Sequence, residues 1–346
     1  MAYGVGVIGA GPGVAALHVP TLSRLPDLFT VVHVSDNGSG RAAELAGRNG
    51  ARASTGRGPL LADPRVEVVA ICSPPAQHAA DITASVAAGK RAIFCEKPVA
   101  TTLEEAEAVV ELCRDQDVAL VVGTNHLFDA AWGRAKHFLM AAEHPVQSIS
   151  VTMALPPNVR YHDVVTETAS APTGPAGRPD VDDLDVEASV LRQLITGLAV
   201  HDLPILRDLA PRLEAVVYAR FVAPVGYAVG FRASGIPISL TTVMLPGGAD
   251  ALWRLSISTG VDRIDVSFPP AFAHDGSATV RVYTPDGRVT GYARAAEDGY
   301  LSEWRALAEL IAGSCPVEYD ELLDDARYAL GLADAVAASV RREGAR

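Results

Sequence analysis

Residues 3–36 read "YGVGVIGAGPGVAALHVPTLSRLPDLFTVVHVSD". An apolar run enters a glycine-rich loop at Gly9, Gly11 and Gly13, a helix-length segment follows, and a second apolar run ends on the acid Asp36. A strand that passes through such a loop into a helix lets backbone N–H groups approach a pyrophosphate at the helix N-terminus, because glycine puts no Cβ in the way. Asp36 supplies a carboxylate that can accept hydrogen bonds from an adenosine ribose. The stretch is therefore read as a dinucleotide-binding turn, with Gly9, Gly11, Pro12, Gly13 and Val14 around the phosphates. A plain tight turn is the competing reading. The spacing departs from a strict G-x-G-x-x-G, which would place glycine at Val14; small Ala15 serves if the loop carries one extra residue.

Outward from this stretch the same alternation continues. "VEVVAICSPP", "RAIFCEKP" and "VALVVGTN" read as buried strands, and "GRAAELAGR", "AADITASVAAGK" and "LEEAEAVVELCRDQ" as the helices between them. Strands apolar throughout, separated by helix-length segments, predict a parallel sheet covered on both faces. After Asn125 the rhythm changes to a helix, a strand, a Pro/Gly/Asp-rich loop over 156–185, a helix through "VLRQLITGLAVHDLPILRDLA", and closely spaced alternating segments of a largely antiparallel sheet. Two helices, roughly 300–312 and 320–342, close the chain. The expected architecture is α/β: a Rossmann doubly wound parallel sheet over 1–124, and over 125–346 a substrate-binding and oligomerisation domain with an open, largely antiparallel sheet.

The length of 346 residues suits two domains, and a net charge of −12 without a basic run argues against a nucleic-acid partner. The four cysteines form no C-x-x-C pair and are expected to be reduced thiols. The nine histidines show no H-x-x-x-H or H-E-x-x-H spacing, so no metal is expected. The N-terminal stretch has neither a basic n-region nor a long apolar h-region, and no run approaches about 18 apolar residues, so a cytoplasmic protein without membrane contact is expected.

"CSPPAQHA" (72–79) and "CEKP" (95–98) end core strands at the edge where open parallel sheets bind ligands, which places Ser73, Pro74, His78, Glu96 and Lys97 at the cofactor. The two prolines are expected to deny that turn a regular helix start. Lysine occurs only at Lys90, Lys97 and Lys136. A lysine partly desolvated beside a cationic nicotinamide has its pKa lowered toward about 7–8, where proton transfer is useful. A solvated loop lysine is the alternative.

The glycine loop together with "SPPAQH", "EKP" and "VGTNHLFD" resembles the Gfo/Idh/MocA oxidoreductases, over essentially the whole chain. That family pairs a Rossmann domain with an α/β domain whose open sheet often makes the oligomer interface, and its members mostly oxidise or reduce a carbon of a sugar, cyclitol or related compound. The resemblance implies that Lys97 is catalytic, that the Lys97–Pro98 bond is cis, and that Asn125 lies near cofactor and substrate. The Asp36 carboxylate would repel a 2′-phosphate, so NAD is expected rather than NADP, with Arg41 as the opposing feature; a homodimer or homotetramer is also expected. The family's second motif, Asp-x-Gly-x-His, corresponds to "GLAVH" (197–201): His201 is in register, but Gly197 stands at the aspartate position and Ala199 at the glycine position. On one continuous helix Gln193, Gly197 and His201 would share a face, so Gln193 joins His201 as a candidate for substrate contact. A buried structural role is the alternative for His201. His126 and Tyr161 complete the candidate substrate residues.

The expected activity is hydride transfer between nicotinamide and a ring carbinol or ketone of a sugar, aminosugar or cyclitol, with Lys97 and His201 handling the proton and with secondary metabolism as the setting. The absent aspartate keeps a non-catalytic, nucleotide-binding sensor as the alternative. Transient oxidation with a retained cofactor is a further enzymatic possibility.

Overall fold

The computed structural model describes residues 2–142, 144–156, 181–245, 248, 250–270 and 273–344. The chain divides into two compact units. Of the described residues, the first holds those through Thr124 and also Tyr300–Arg327, and the second holds those between Asn125 and Gly299 and from Tyr328 on.

The first unit is built on six parallel strands, β1 (Tyr3–Ile8), β2 (Phe29–Asp36), β3 (Arg52–Thr55), β4 (Val68–Ile71), β5 (Ala92–Glu96) and β6 (Ala119–Gly123), in the order β3-β2-β1-β4-β5-β6. β4 is buried at every residue and β5 from Ala92 through Cys95, which is why these strands read as unbroken apolar runs rather than alternating ones. The strand order reverses between β1 and β4, the place where doubly wound sheets open a crevice at the strands' C-terminal ends. After β1 come a π-helical turn (Val14–His18) and α1 (Val19–Ser23). The other connections carry α2 (Arg41–Arg48), α3 (Arg57–Leu61), α4 (Pro75–Ala87) and α5 (Leu103–Asp115).

The expected boundary after residue 124 needs one correction. Of the closing helices, α9 (Gly299–Ile311) from Tyr300 and the start of α10 (Tyr319–Gly344) belong with the first unit. Trp304 stacks on Phe94 at 4.6 Å and meets Phe29 edge-on, and the Tyr319 hydroxyl donates to Val118 O at 3.0 Å. This aromatic burial ties the distant segment to the parallel sheet.

The second unit contains α6 (Ala130–Ala142), β7 (Val146–Leu155), α7 (Leu184–Gly197), a 3-10 turn (Ala199–His201) and α8 (Leu203–Leu209). The strands β8 (Leu213–Phe221), β9 (Gly226–Ala233), β10 (Ile236–Met244), β11 (Leu252–Thr259), β12 (Arg263–Ser267), β13 (Thr279–Tyr283) and β14 (Val289–Tyr292) follow. Its eight strands run β14-β13-β12-β11-β7-β10-β9-β8, antiparallel except where β7 lies parallel to β10. β7 and β11 bury alternate residues, and Ile149, Val151, Leu255 and Ile257 form a core with Leu191 and Ile195 of α7. Among the described residues, no helix is long and apolar enough to cross a membrane, and no cluster of His, Cys, Asp and Glu is arranged to hold a metal ion.

A buried charge cluster anchors the edge of the parallel sheet. The Asp63 carboxylate, nearly inaccessible, accepts from His33 Nδ1 (3.0 Å) on β2 and from Arg65 Nη2 (2.8 Å), Nε and backbone N–H (both 3.1 Å). Lys90 Nζ closes the same corner by donating to Val66 O at 2.8 Å. The Arg65 hydrogen bonds hold Asp63 far below the usual carboxylate range. A depressed folded-state pKa gives stability that is present above the unfolded value, about 3.9, and is lost as the pH falls through and below it. Asp63→Asn is therefore expected to lower the unfolding free energy by about 2 kcal/mol near neutral pH, with the difference from the parent shrinking below about pH 4. Urea denaturation at several pH values measures this, and a pH-independent difference would contradict it.

Candidate active site

At the C-terminal end of β1 the backbone turns at Gly9, with φ of +108°, and a Cβ there would come within 2.4 Å of Cys72 O. Glycine is thus required where β1 and β4 separate. At Gly11 a Cβ would meet nothing within 4 Å, so the space before the loop is open, which is the condition for close approach of a pyrophosphate. The extra residue expected in the loop is taken up instead by the π-turn Val14–His18, since an i→i+5 turn holds one residue more than an α-turn. Val14 is buried and its N–H donates to Gly11 O at 3.0 Å, so it shapes the loop from within.

Asp36 ends β2 with its carboxylate turned into the following loop. Oδ1 accepts from Gly38 N–H (2.8 Å), and Oδ2 accepts from the Ser39 hydroxyl (2.5 Å) and Ala42 N–H (3.0 Å). Partial burial acts to raise its pKa, but these donors prevail and lower it, so the group is ionised.

β5 ends on Glu96, and Lys97 follows with a cis bond to Pro98. Glu96 Oε1 lies 2.8 Å from His18 Nε2, and Oε2 accepts the Lys97 backbone N–H at 3.2 Å. Burial would raise Glu96, yet the hydrogen bond and charge of His18, helped by Lys97 and His78, hold it below the usual range. Burial likewise works against charge on His18, but Cys72 and Glu96 facing the ring raise its pKa well above the ordinary value. Burial lowers the Lys97 amine, with Glu96 pulling the other way. Sequence reasoning missed His18; the signal was a histidine one turn beyond the glycine loop.

The turn after β4 departs from expectation in two ways. Pro74 and Pro75 do not block a helix: α4 begins at Pro75, where a proline at the first helical position forgoes no hydrogen bond. His78, expected at the cofactor, is fully buried, with Nδ1 2.7 Å from Pro98 O and Nε2 2.8 Å from Ser73 O. Its ring joins the turn after β4 to the turn after β5 and has no surface left for a ligand. The Ser73 hydroxyl donates to Asp81 (2.6 Å), which also pairs with Arg57 (2.7 Å), while Pro74 is exposed.

In the second unit, His201 Nδ1 donates to Asn125 Oδ1 at 2.8 Å. Beside it, buried Asp202 accepts from His126 Nδ1 (3.0 Å) and Trp253 Nε1 (3.0 Å). The His126 ring stacks on Phe268 at 3.7 Å and meets Trp253 edge-on at 4.5 Å. His126 is thus a held, buried ring, and Asp202, Trp253 and Phe268 are the partners that the sequence did not reveal. The expected shared face of Gln193, Gly197 and His201 is not formed: α7 ends at Gly197, and His201 lies in the 3-10 turn beyond it. Gln193 is exposed, and a Cβ at Gly197 would meet nothing within 4 Å. Tyr161 and most of the 156–185 loop lie outside the described residues.

This geometry defines a class: a Rossmann dinucleotide-binding unit joined to an open-sheet α/β unit. Residues 3–124 match the GFO_IDH_MocA model, described as an oxidoreductase family with an NAD-binding Rossmann fold. The chain is 34% identical over 142 residues to an inositol 2-dehydrogenase of Saccharopolyspora erythraea, covering 41% of each protein. It spans about half or less of the length of the first curated relatives that it matches. Over 98% of both chains the fold is that of KijD10, a 3-ketoreductase from Actinomadura kijaniata solved with NADP and TDP-benzene (TM-score 0.75, 21% identity). It is likewise that of the UDP-N-acetylglucosamine 3-dehydrogenase GnnA from Acidithiobacillus ferrooxidans (TM-score 0.73, 21% identity, 98% of this chain and 99% of that one).

Removing the Asp202 carboxylate leaves two buried donors, on His126 and Trp253, without an acceptor. Asp202→Ala is expected to lower the unfolding free energy by about 2 kcal/mol or more, and Asp202→Asn, which keeps one acceptor, by less. Equal stability of Asp202→Ala and the parent in urea would show that the pair carries no such weight.

Proposed function

We propose that the chain is an NAD(P)-dependent oxidoreductase that moves hydride between nicotinamide and a ring carbinol or ketone of a sugar or cyclitol. The observation that carries this reading is Lys97, a lysine with a depressed pKa just past the end of a core strand, in a segment that matches the model of an NAD-binding oxidoreductase family. The glycine loop, open at Gly11, and the ionised Asp36 fit a dinucleotide, and a bound nicotinamide supplies the hydride acceptor or donor.

In the oxidative direction, the Lys97 amine accepts the hydroxyl proton as the carbinol hydrogen leaves with its electron pair. In reduction, the Lys97 ammonium returns that proton to the forming alkoxide. His201, whose ring is held by Asn125 and lies 5.5 Å from that of His126, is the second residue assigned to proton handling, as the family motif implies. A homodimer or homotetramer joined across the outer face of the second sheet fits the exposure of Val217 and Tyr218 on β8, and the cytoplasm is the compartment that suits reduced thiols. The non-catalytic sensor keeps one observation in its favour, Gly197 where the family has an acid.

A screen of cyclitols and sugars by nicotinamide absorbance tests the reading and separates enzyme from sensor. Lys97→Ala is expected to bind cofactor nearly as the parent does but to lose about 10²–10⁴-fold in turnover, and His201→Ala to lose about tenfold or more. Lys97→Arg is expected to fail as well, because a guanidinium does not deprotonate near neutral pH. Near-parental turnover of either Lys97 variant would remove Lys97 from proton transfer.

The ionised Asp36 opposes a 2′-phosphate, so NAD is expected to bind more tightly than NADP, and Asp36→Ala to narrow or reverse the ratio. Exposed Arg41, at the start of α2, is the feature that opposes this order. Binding titrations that give NADP the lower Kd would place the ribose away from Asp36.

A further inference from the structure

His18 has no part in the mechanism above, yet it is the residue that holds Glu96. It is almost fully buried, its Nε2 sits 2.8 Å from Glu96 Oε1, and its ring packs edge-on against Phe94 at 5.2 Å, with Phe94 itself stacked on Trp304. Such packing leaves the imidazole little freedom to swing away. The second Glu96 oxygen is fixed by the backbone N–H of Lys97. One carboxylate is therefore clamped between a buried ring and the residue whose amine is assigned the proton transfer.

We propose that His18 is a positioning residue for Lys97: it ties the Glu96 carboxylate into a balanced pair at the end of β5, so that the amine does not face a bare negative charge. The inference rests on the reading of Lys97 as the proton-transfer residue for its functional meaning, but the pair itself is independent of that reading. The titratable and charged groups around it are few. Cys72, after β4, faces His18; Lys97 and buried His78 face Glu96; Cys95 precedes Glu96 on β5, and Asp81 lies on α4. An unpaired carboxylate beside an amine favours its protonated form, which would disable it as a base in oxidation. The raised His18 and lowered Glu96 agree with an ion pair.

The chain allows a test that needs no substrate. It has only three lysines, so protein carrying [ε-13C]lysine gives three Cε resonances, of which Lys97 is assigned by its loss in Lys97→Arg. His18→Gln is expected to raise the Lys97 titration midpoint by about one pH unit, because an opposite charge nearby favours the charged form. Glu96→Gln alone is expected to lower it. In the Glu96→Gln background, a further His18→Gln is expected to move nothing. Unchanged Lys90 and Lys136 resonances report an intact fold, and His18→Asn serves if His18→Gln does not fold. An unmoved midpoint in the folded His18 variants, or the same upward shift in the Glu96→Gln background, would overturn the proposal. Its failure is distinct from failure of the functional reading, which shows instead as retained turnover in Lys97→Ala.

Discussion

A strand buried on both faces has no room for a polar side chain except where it stops. This constraint governs β4 and β5. β4 and β5 are apolar until their last residues, and Ser73, Glu96 and Lys97 come at or just beyond those ends, beside the glycine loop that follows β1. The sheet both isolates the polar groups from water on one side and gathers them along one edge.

The polar groups there are held by one another more than by solvent. His78 ties together the turns after β4 and β5, and His18 grips Glu96, so the backbone around Lys97 is fixed from two directions. Lys97 is left with a depressed pKa at a rigid position, the combination that proton transfer requires. In the second unit Asp202 plays the comparable part, with one buried carboxylate orienting both His126 and Trp253.

Much of this was legible in the sequence, and the misses have physical causes. The long apolar runs of β1, β2, β4, β5 and β6 and the alternating strands of the second sheet announce themselves by period. β3 does not, because its four residues, Arg52–Thr55, lie at the sheet edge and are largely exposed, so no apolar pattern marks them. The break after Gly197 escaped because the apolar residues on either side continue a helical rhythm across it. The π-turn, the docking of Trp304 on Phe94, and the burial of His78 depend on contacts distant in sequence, which no local pattern carries. Glu96, Lys97, Asn125 and His201 were visible as residues; the pairing of Glu96 with His18 and of His201 with Asn125 required the fold to bring them together.

The central claim is that Lys97 exchanges the proton of a ring hydroxyl while hydride passes to or from nicotinamide. A crystal structure of the protein with a nicotinamide cofactor and a sugar or cyclitol that it turns over tests this most directly. The account requires the Lys97 Nζ within hydrogen-bond reach, about 2.6–3.2 Å, of the carbinol oxygen, with the hydrogen on that carbon directed at the nicotinamide ring. A ring bound beside the nicotinamide with another group or a water on that oxygen, and Lys97 turned away from it, would contradict the account.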